Sequence, residues 1–478
     1  MTSTTPRGRW DSCATKASSA PLRPFATNWT LRSKAPSDDL EPHNEWPPPP
    51  PEDESALERA LRLEAEEKAR KQSEEIDAAI DQDKTELERR RRQKKVLLLG
   101  QSQSGKSTLL KSFQLLYAPR AFRAEAEAWR AVIYLNLVHS VNILLDVVDA
   151  ANLRTSKTIR HLQISLSPLR QVRTALTNTL STENARARLS VEDLDVEVWR
   201  ARRASGISVH SSAWRSLAKV SGPGNASQDD IENARSVIGA CRNDIAAIWS
   251  NKDVRECLSN QAIELDSQAV YFLDEAQRIS AADYCPTDDD ILRARLETVG
   301  VEEHSIVFEN VDRGQEWIWY DIEGTRSSRA AWVPYFDDVH IVMFVCSIAN
   351  FDDELDELSG NNFMECLRLW KSICENKLLA NTTFFLFLNK WDLLEKKLKS
   401  GTFFGAYVPE FGHRSNDWQS VANFYREKYL TIHRDFSPQS RLLQVHITCA
   451  IDTIAMRGIL EQARHEILTV SIDRMTLL

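Results

Sequence analysis

The chain lacks a Cys-x-x-Cys pair, an uninterrupted apolar run of about 18 residues, an apolar core at its N-terminus and any excess of positive charge. Each absence removes a class of protein. Eight cysteines scattered over 478 residues suit reduced cytosolic thiols better than a disulfide framework. The nearest approach to a membrane span, residues 131–150, is interrupted by Asn136, His139, Ser140, Asn142 and Asp146, so it reads as a buried helix. No secretory signal is expected. Residue 2 is Thr2, where N-myristoylation requires glycine, so that modification is not expected either. Cys13 could carry a palmitoyl group but reads more simply as a plain thiol in a tail. A net charge of −9 gives no global field for nucleic acid, which is not an expected partner. The length allows two or three domains.

What is present divides the chain. Residues 1–52 are rich in Ser, Thr and Pro, cannot bury enough apolar surface to order themselves, and read as a disordered tail. Ser55-Ala56-Leu57-Glu58 is a capping box, and Leu57, Leu61, Ala65, Ala69, Ile76 and Ile80 then recur on one narrow stripe. A charged helix over 53–92, packing on a partner rather than in a core, is expected. Its basic end, Arg89 to Lys95, reads first as a solvated helix end, second as a contact to an anionic membrane, third as a nuclear-import signal. Residues 115–285 have a helical pattern, with about 160–230 polar enough to suggest an extended or partly disordered insertion. From Ile306 onward apolar strands alternate with helices: Ile306–Glu309, Trp317–Asp321, Val339–Ser347, Phe384–Leu388 and Leu442–Ile447. With Val96–Leu99 as first strand, this is an α/β domain with a mostly parallel sheet, split by the helical block.

Gly100-Gln101-Ser102-Gln103-Ser104-Gly105-Lys106-Ser107 carries the chemistry. It is a G-x-x-x-x-G-K-S loop between an apolar strand and a helix that begins near Thr108, the context a P-loop needs. Backbone N–H groups of such a loop converge on phosphate oxygens at a helix N-terminus. Gln103, Ser104, Gly105, Lys106, Ser107 and Thr108 are the expected phosphate contacts, with Ser107 as a Mg²⁺ ligand. Asn389-Lys390-Trp391-Asp392 follows a buried-strand pattern and selects guanine. Its carboxylate, Asp392, accepts from the guanine N1–H and exocyclic amine, and adenine would leave it unpaired at a cost of several kcal/mol. Thr448-Cys449-Ala450 follows another apolar run, and the Ala450 N–H is the expected donor to the guanine O6.

From about Ser73 onward, apart from the insertion, the chain resembles the alpha subunits of heterotrimeric G proteins. Asp290-Ile291-Leu292-Arg293-Ala294-Arg295-Leu296-Glu297-Thr298-Val299-Gly300 is similar to the family's switch I. Tyr320-Asp321-Ile322-Glu323-Gly324-Thr325-Arg326-Ser327 stands where the family has D-x-G-G-Q-R-S, and Thr448 to Thr453 nearly repeats its guanine loop. Leu265 to Ala269 and Ala281 to Thr287 match the end of its helical domain. The resemblance implies a P-loop Ras-like GTPase domain at 93–114 and 286–478, an inserted all-α domain at 115–285 and an N-terminal helix. It implies a GTP/GDP switch using Mg²⁺. Arg295 becomes the arginine finger, Thr298 joins Ser107 as a metal ligand, and Asp321 holds the metal through water. Gly324 would donate its N–H to the γ-phosphate, and Ser267, Leu292 and Arg293 join the nucleotide contacts. Arg326, Arg329 and Trp332 would form the switch II helix that effectors read, with Trp332 equally readable as a core aromatic. The N-terminal helix and switch II would bind a beta-gamma dimer, and the helix from Asp452 a seven-helix receptor. A peripheral place on the cytoplasmic face of the plasma membrane follows, or a cytosolic one without myristate. The toxin-sensitive Cys of some members is Met475 here.

The departures fall on hydrolysis. Thr325 stands at the position of the catalytic Gln and is too short both to orient the attacking water and to accept from it. Glu323 replaces a Gly, Ser102 another, and Gln103 a Glu that pairs with the arginine finger. Ser267 and Gln268 read as a departure from an acidic-then-Ser pair that clasps nucleotide, which would loosen domain closure and speed exchange. The alternatives are a non-hydrolysing GTP-binding adaptor and, disfavoured by Asn389 to Asp392, a P-loop ATPase or kinase.

Overall fold

The computed structural model describes residues 55–150, 157–180, 226–260, 265–295, 300–322, 324, 329–336, 338–353 and 361–476. The tail, Cys13, Glu323, Thr298, Thr325, Arg326 and residues 181–225 lie outside them. Residues up to Gln82 form one unit and Asp83–Leu478 another.

In the first unit lies most of the helix Ala56–Arg92. Its start is the expected capping box: Glu58 N–H donates to Ser55 Oγ at 3.4 Å, and Ser55 N–H donates to Glu58 Oε2 at 3.0 Å. The stripe residues Leu57, Leu61, Ile76 and Ile80 are all exposed.

In the second unit six strands form one sheet: β1 (Lys94–Gly100), β2 (Val301–Val307), β3 (Glu316–Ile322), β4 (Ile341–Ser347), β5 (Thr383–Asn389) and β6 (Leu443–Thr448). Their order is β2-β3-β1-β4-β5-β6, and only the β2–β3 pairing is antiparallel. β4 and β5 are buried along their whole length and read as unbroken apolar runs, as strands covered on both faces must. β2 is an edge strand that buries one face through His304 and Ile306. Between Val301 and Ile306 the unburied positions Glu302, Glu303 and Ser305 are polar, which is why sequence pattern placed a strand only from Ile306. Leu109, Phe113, Met456 and Leu460 of the helices Lys106–Tyr117 and Thr453–Thr476 pack with the β-sheet side chains Trp317 and Trp319 in one core. Trp370, Leu394 and Tyr429 of the helices Asn362–Glu375, Trp391–Lys399 and Trp418–Phe436 belong to a second.

A third core is wholly helical and centres on Ala126–Ala150. This helix is long and apolar enough to cross a membrane, but 83% of its most apolar window is buried inside the protein. Around it lie Ala226–Ala240, Arg242–Ser250, Lys252–Asn260 and Ser267–Asp274. The reading of about 160–230 as extended is corrected over its first part, because Lys157–Leu166 and Pro168–Leu180 are helices. Ile159, Leu162, Leu166, Leu169, Val172, Leu176 and Leu180 are buried at helical spacing, while the intervening polar residues mask that period in the composition.

Candidate nucleotide site

The C-terminal ends of β1, β3, β5 and β6 converge, and in open α/β sheets this edge is where ligands bind. β1 ends on Gly100, whose φ of 144° and closeness to the Val345 carbonyl (a Cβ would lie 2.1 Å from its oxygen) admit only glycine. The loop then runs to Gly105, φ 104°, the N-cap of Lys106–Tyr117. A Cβ there would stand 2.2 Å from Asn389 Nδ2.

Asn389 ties the site together. Its Nδ2 donates to the Ser104 carbonyl at 2.8 Å, and its Oδ1 accepts from Ala450 N–H at 3.0 Å and Thr448 Oγ at 3.2 Å. One buried amide thus joins the P-loop, the end of β5 and the loop after β6. Ser112 Oγ adds a bond to the Ala450 carbonyl at 2.9 Å. The Ala450 N–H was expected to face a guanine O6; it is committed to Asn389 instead, because the buried Oδ1 needs donors. Lys390 sits at φ 68° and caps Trp391–Lys399. Burial lowers its ammonium to about 8, with Arg295 pushing the same way and Asp266, Asp353 and Asp392 opposing. Burial also raises the Cys449 thiol to about 12, helped by Asp392, so the Asp392 carboxylate faces the loop after β6.

Lys106 Nζ crosses the loop to the carbonyls of Gly100 and Gln101, both at 3.0 Å. Ser107 Oγ donates to Asp321 Oδ2 at 3.1 Å, since β3 pairs with β1 and Leu98 registers with Asp321. These are hard oxygen donors that suit Mg²⁺, which uses few protein ligands and keeps waters and phosphates. Gly324 lies flat on the loop: a Cβ would fall 2.4 Å from Ser102 N and 2.6 Å from the Gly100 carbonyl oxygen. Ser104 Oγ is buried and without a hydrogen-bond partner. A loop with close-packed glycines, an orphaned hydroxyl and a buried ammonium fits a polyphosphate. Thr108 follows within the same helix.

The switch I segment is held from both sides. The helix Asp288–Arg293 opens with a capping box between Thr287 and Asp290. Asp290 is fully buried and accepts from Arg278, Tyr271, Tyr284 and the Thr287 N–H. Burial alone would raise its carboxyl, but Arg278 and these donors hold it at about 2. Leu292 is fully buried, and Arg293 lies over the Tyr271 ring at 4.6 Å and pairs with Asp289 at 3.3 Å. Arg295 pairs instead with Asp266 at 3.1 Å. Three residues that sequence pattern did not single out as functional position it: Lys111, Asn136 and Asp266. The available signal was a polar group in an apolar helix, Asn136 in 131–150 above all, since a buried amide demands partners.

Asp266 and Ser267 form an acidic-then-Ser pair one residue before the Ser267–Gln268 pair considered above, and Asp266 pairs with Arg295. In the short helix Arg329–Tyr335, Trp332 is 3% exposed and packs in the sheet core, while Val333 is exposed.

Comparison with known proteins agrees with this geometry. A family model for the G-protein alpha subunit matches residues 70–467. The guanine nucleotide-binding protein alpha-4 subunit of Mycosarcoma maydis is 28% identical, over 87% of this chain and 92% of its own. The guanine nucleotide-binding protein alpha subunits of Emericella nidulans and Sporothrix schenckii are each 26% identical, over 81% and 83% of this chain and 91% and 93% of theirs. The chain belongs to the G-protein alpha subunit family.

Proposed function

We propose that this guanine-nucleotide-binding alpha subunit is a slow GTPase, a switch that holds GTP far longer than it takes to bind it. The observation that supports tight binding is the threefold bonding of Asn389, which preorganises the P-loop and the guanine loop as one piece. Lys106 and the loop N–H groups receive the phosphates, Asp392 reads the base, and Ser107 with Thr298 and Asp321 holds Mg²⁺. Mg²⁺ held there would offset the charge of the phosphate oxygens. The helical residues of about 115–285 close over the nucleotide as the inserted domain.

Slow hydrolysis rests on Thr325 at the position of the water-orienting Gln and on Arg295, which is paired with Asp266 rather than with the P-loop. We place turnover below the roughly 10⁻² s⁻¹ of alpha subunits with Arg in cis. The N-terminal helix with its exposed apolar stripe docks a beta-gamma dimer, and the helix Thr453–Thr476 meets a seven-helix receptor. Val333, beside the switch, is the effector contact. The protein works at the cytoplasmic face of the plasma membrane, peripherally. Competition of guanine and adenine nucleotides for a fluorescent GTP analogue tests the base reading; equal displacement by ATP would overturn it. Thr325→Gln tests the chemistry and is expected to raise single-turnover phosphate release about tenfold.

A further inference from the structure

Arg295 has a fixed root and a held tip. Asn136, buried in the Ala126–Ala150 helix, grips its main chain from both sides: Oδ1 accepts from Arg295 N–H at 3.1 Å and Nδ2 donates to the Arg295 carbonyl at 3.2 Å. The opposite domain adds a second hold. Lys111 Nζ, from the P-loop helix, donates to the carbonyls of Ala294 at 2.7 Å and Ile291 at 3.0 Å, with the Trp129 ring 4.3 Å away. The backbone before and at Arg295 therefore cannot drift relative to the P-loop. The side chain is another matter. Among the described residues its guanidinium pairs with Asp266 Oδ2 at 3.1 Å, and that carboxylate is half exposed. Asp266 also caps the helix Ser267–Asp274, accepting from Ala269 N–H at 2.6 Å through Oδ1.

We propose that Asn136 and Asp266 are positioning residues of opposite sign for GTP hydrolysis: Asn136 fixes the pivot from which Arg295 reaches the transferring phosphoryl, and Asp266 holds the guanidinium back from it. This rests on the reading of Arg295 as the arginine finger. The chain has Gln103 in the P-loop, a neutral side chain, so the guanidinium finds its carboxylate on the helical domain instead. Any movement of that domain then changes how long Arg295 stays away from the phosphate. A half-exposed pair is screened by salt and yields readily, so its effect on rate is modest.

The experiment uses full-length protein with Mg²⁺ and three readouts: GTP affinity, single-turnover phosphate release, and affinity for GDP with aluminium fluoride, a mimic of the transferring phosphoryl. Asp266→Asn keeps an acceptor for the helix cap and removes only the charge. It is expected to speed release on the order of threefold, to tighten fluoride-complex binding in parallel, and to leave GTP affinity nearly unchanged. In the Arg295→Ala background that gain must vanish. Asn136→Ala is expected to slow release about tenfold and weaken the fluoride complex, with thermal unfolding as the control for folding. Raising salt should speed the unaltered protein and not Asp266→Asn. If Arg295→Ala slows release while Asp266→Asn slows it too or does nothing, the opposing roles are overturned and the arginine finger stands. If Arg295→Ala has no effect, the reading of Arg295 itself fails.

Discussion

The two ends of the nucleotide site are built differently. At the base end, one buried amide, Asn389, makes three hydrogen bonds that tie its own segment to the P-loop and to the end of β6 with the loop after it, and glycines at 100 and 105 permit the close approach. At the phosphoryl end, Arg295 makes a single ion pair with a half-exposed carboxylate on another domain. A buried network specifies position, whereas a screened pair permits motion. A switch needs both, since recognition must be constant and chemistry must be gated.

Breaking the base end should have the largest effect. Asn389→Ala orphans the Ser104 carbonyl and the Ala450 N–H together, and GDP affinity should fall at least about a thousandfold, about 4 kcal/mol, by titration with a fluorescent analogue. Retention of nanomolar binding would show that the segments hold each other without it. Next comes Asp290, the anchor of the segment that carries Arg295. Asp290→Ala removes the shared acceptor of Tyr271, Tyr284 and the Arg278 guanidinium, which keeps only Glu275, and should cost about 3 kcal/mol in denaturant unfolding. Its pH signature has a definite sign. The carboxyl titrates at about 2 against an ordinary 3.8, so its stabilisation is full above 3.8 and is lost as pH falls from there through 2.

A smaller effect separates His139 from the rest. Burial lowers it from 6.5 to about 4, with Arg173 and Arg295 pushing the same way, so the folded protein keeps it neutral while the unfolded chain takes up a proton. Stability should therefore fall as pH drops from 6.5 to 4, and His139→Gln should flatten that slope in unfolding curves. His433, lowered to about 4 by burial and Arg441, contributes the same slope from the other side of the molecule, so His433→Gln is the matched comparison. The smallest change is expected at Arg414, whose pair with Glu427 at 2.9 Å is exposed: Arg414→Ala should cost under about 0.5 kcal/mol. A larger loss would mean that its stacking on Phe424 matters more than its charge.

The sheet was legible because its inner strands are apolar on both faces, as Ile341 to Cys346 and Phe384 to Leu388 show. The edge strand was not, since Glu302 and Glu303 need only one buried neighbour in two. The helices at 157–180 were hidden by their solvated faces. In the site, spacing alone placed Lys106, Ser107 and Asn389, because phosphate and guanine impose short motifs. Spacing could not place Asp266, Asn136 or Lys111. Their meaning comes from contacts between domains, 159 residues apart along the chain for Asn136 and Arg295. Trp332 shows the same limit in reverse: an aromatic in a switch segment is indistinguishable by sequence from one in the core, and it proved to be core.

Loading the purified protein with γ-labelled GTP and following phosphate release over one turnover tests the contrast most directly. Stable, stoichiometric binding with release well below about 10⁻² s⁻¹ is the expected result. Release at that rate or above, with Thr325 unaltered, would mean that another group positions the water and that the phosphoryl end is as well built as the base end.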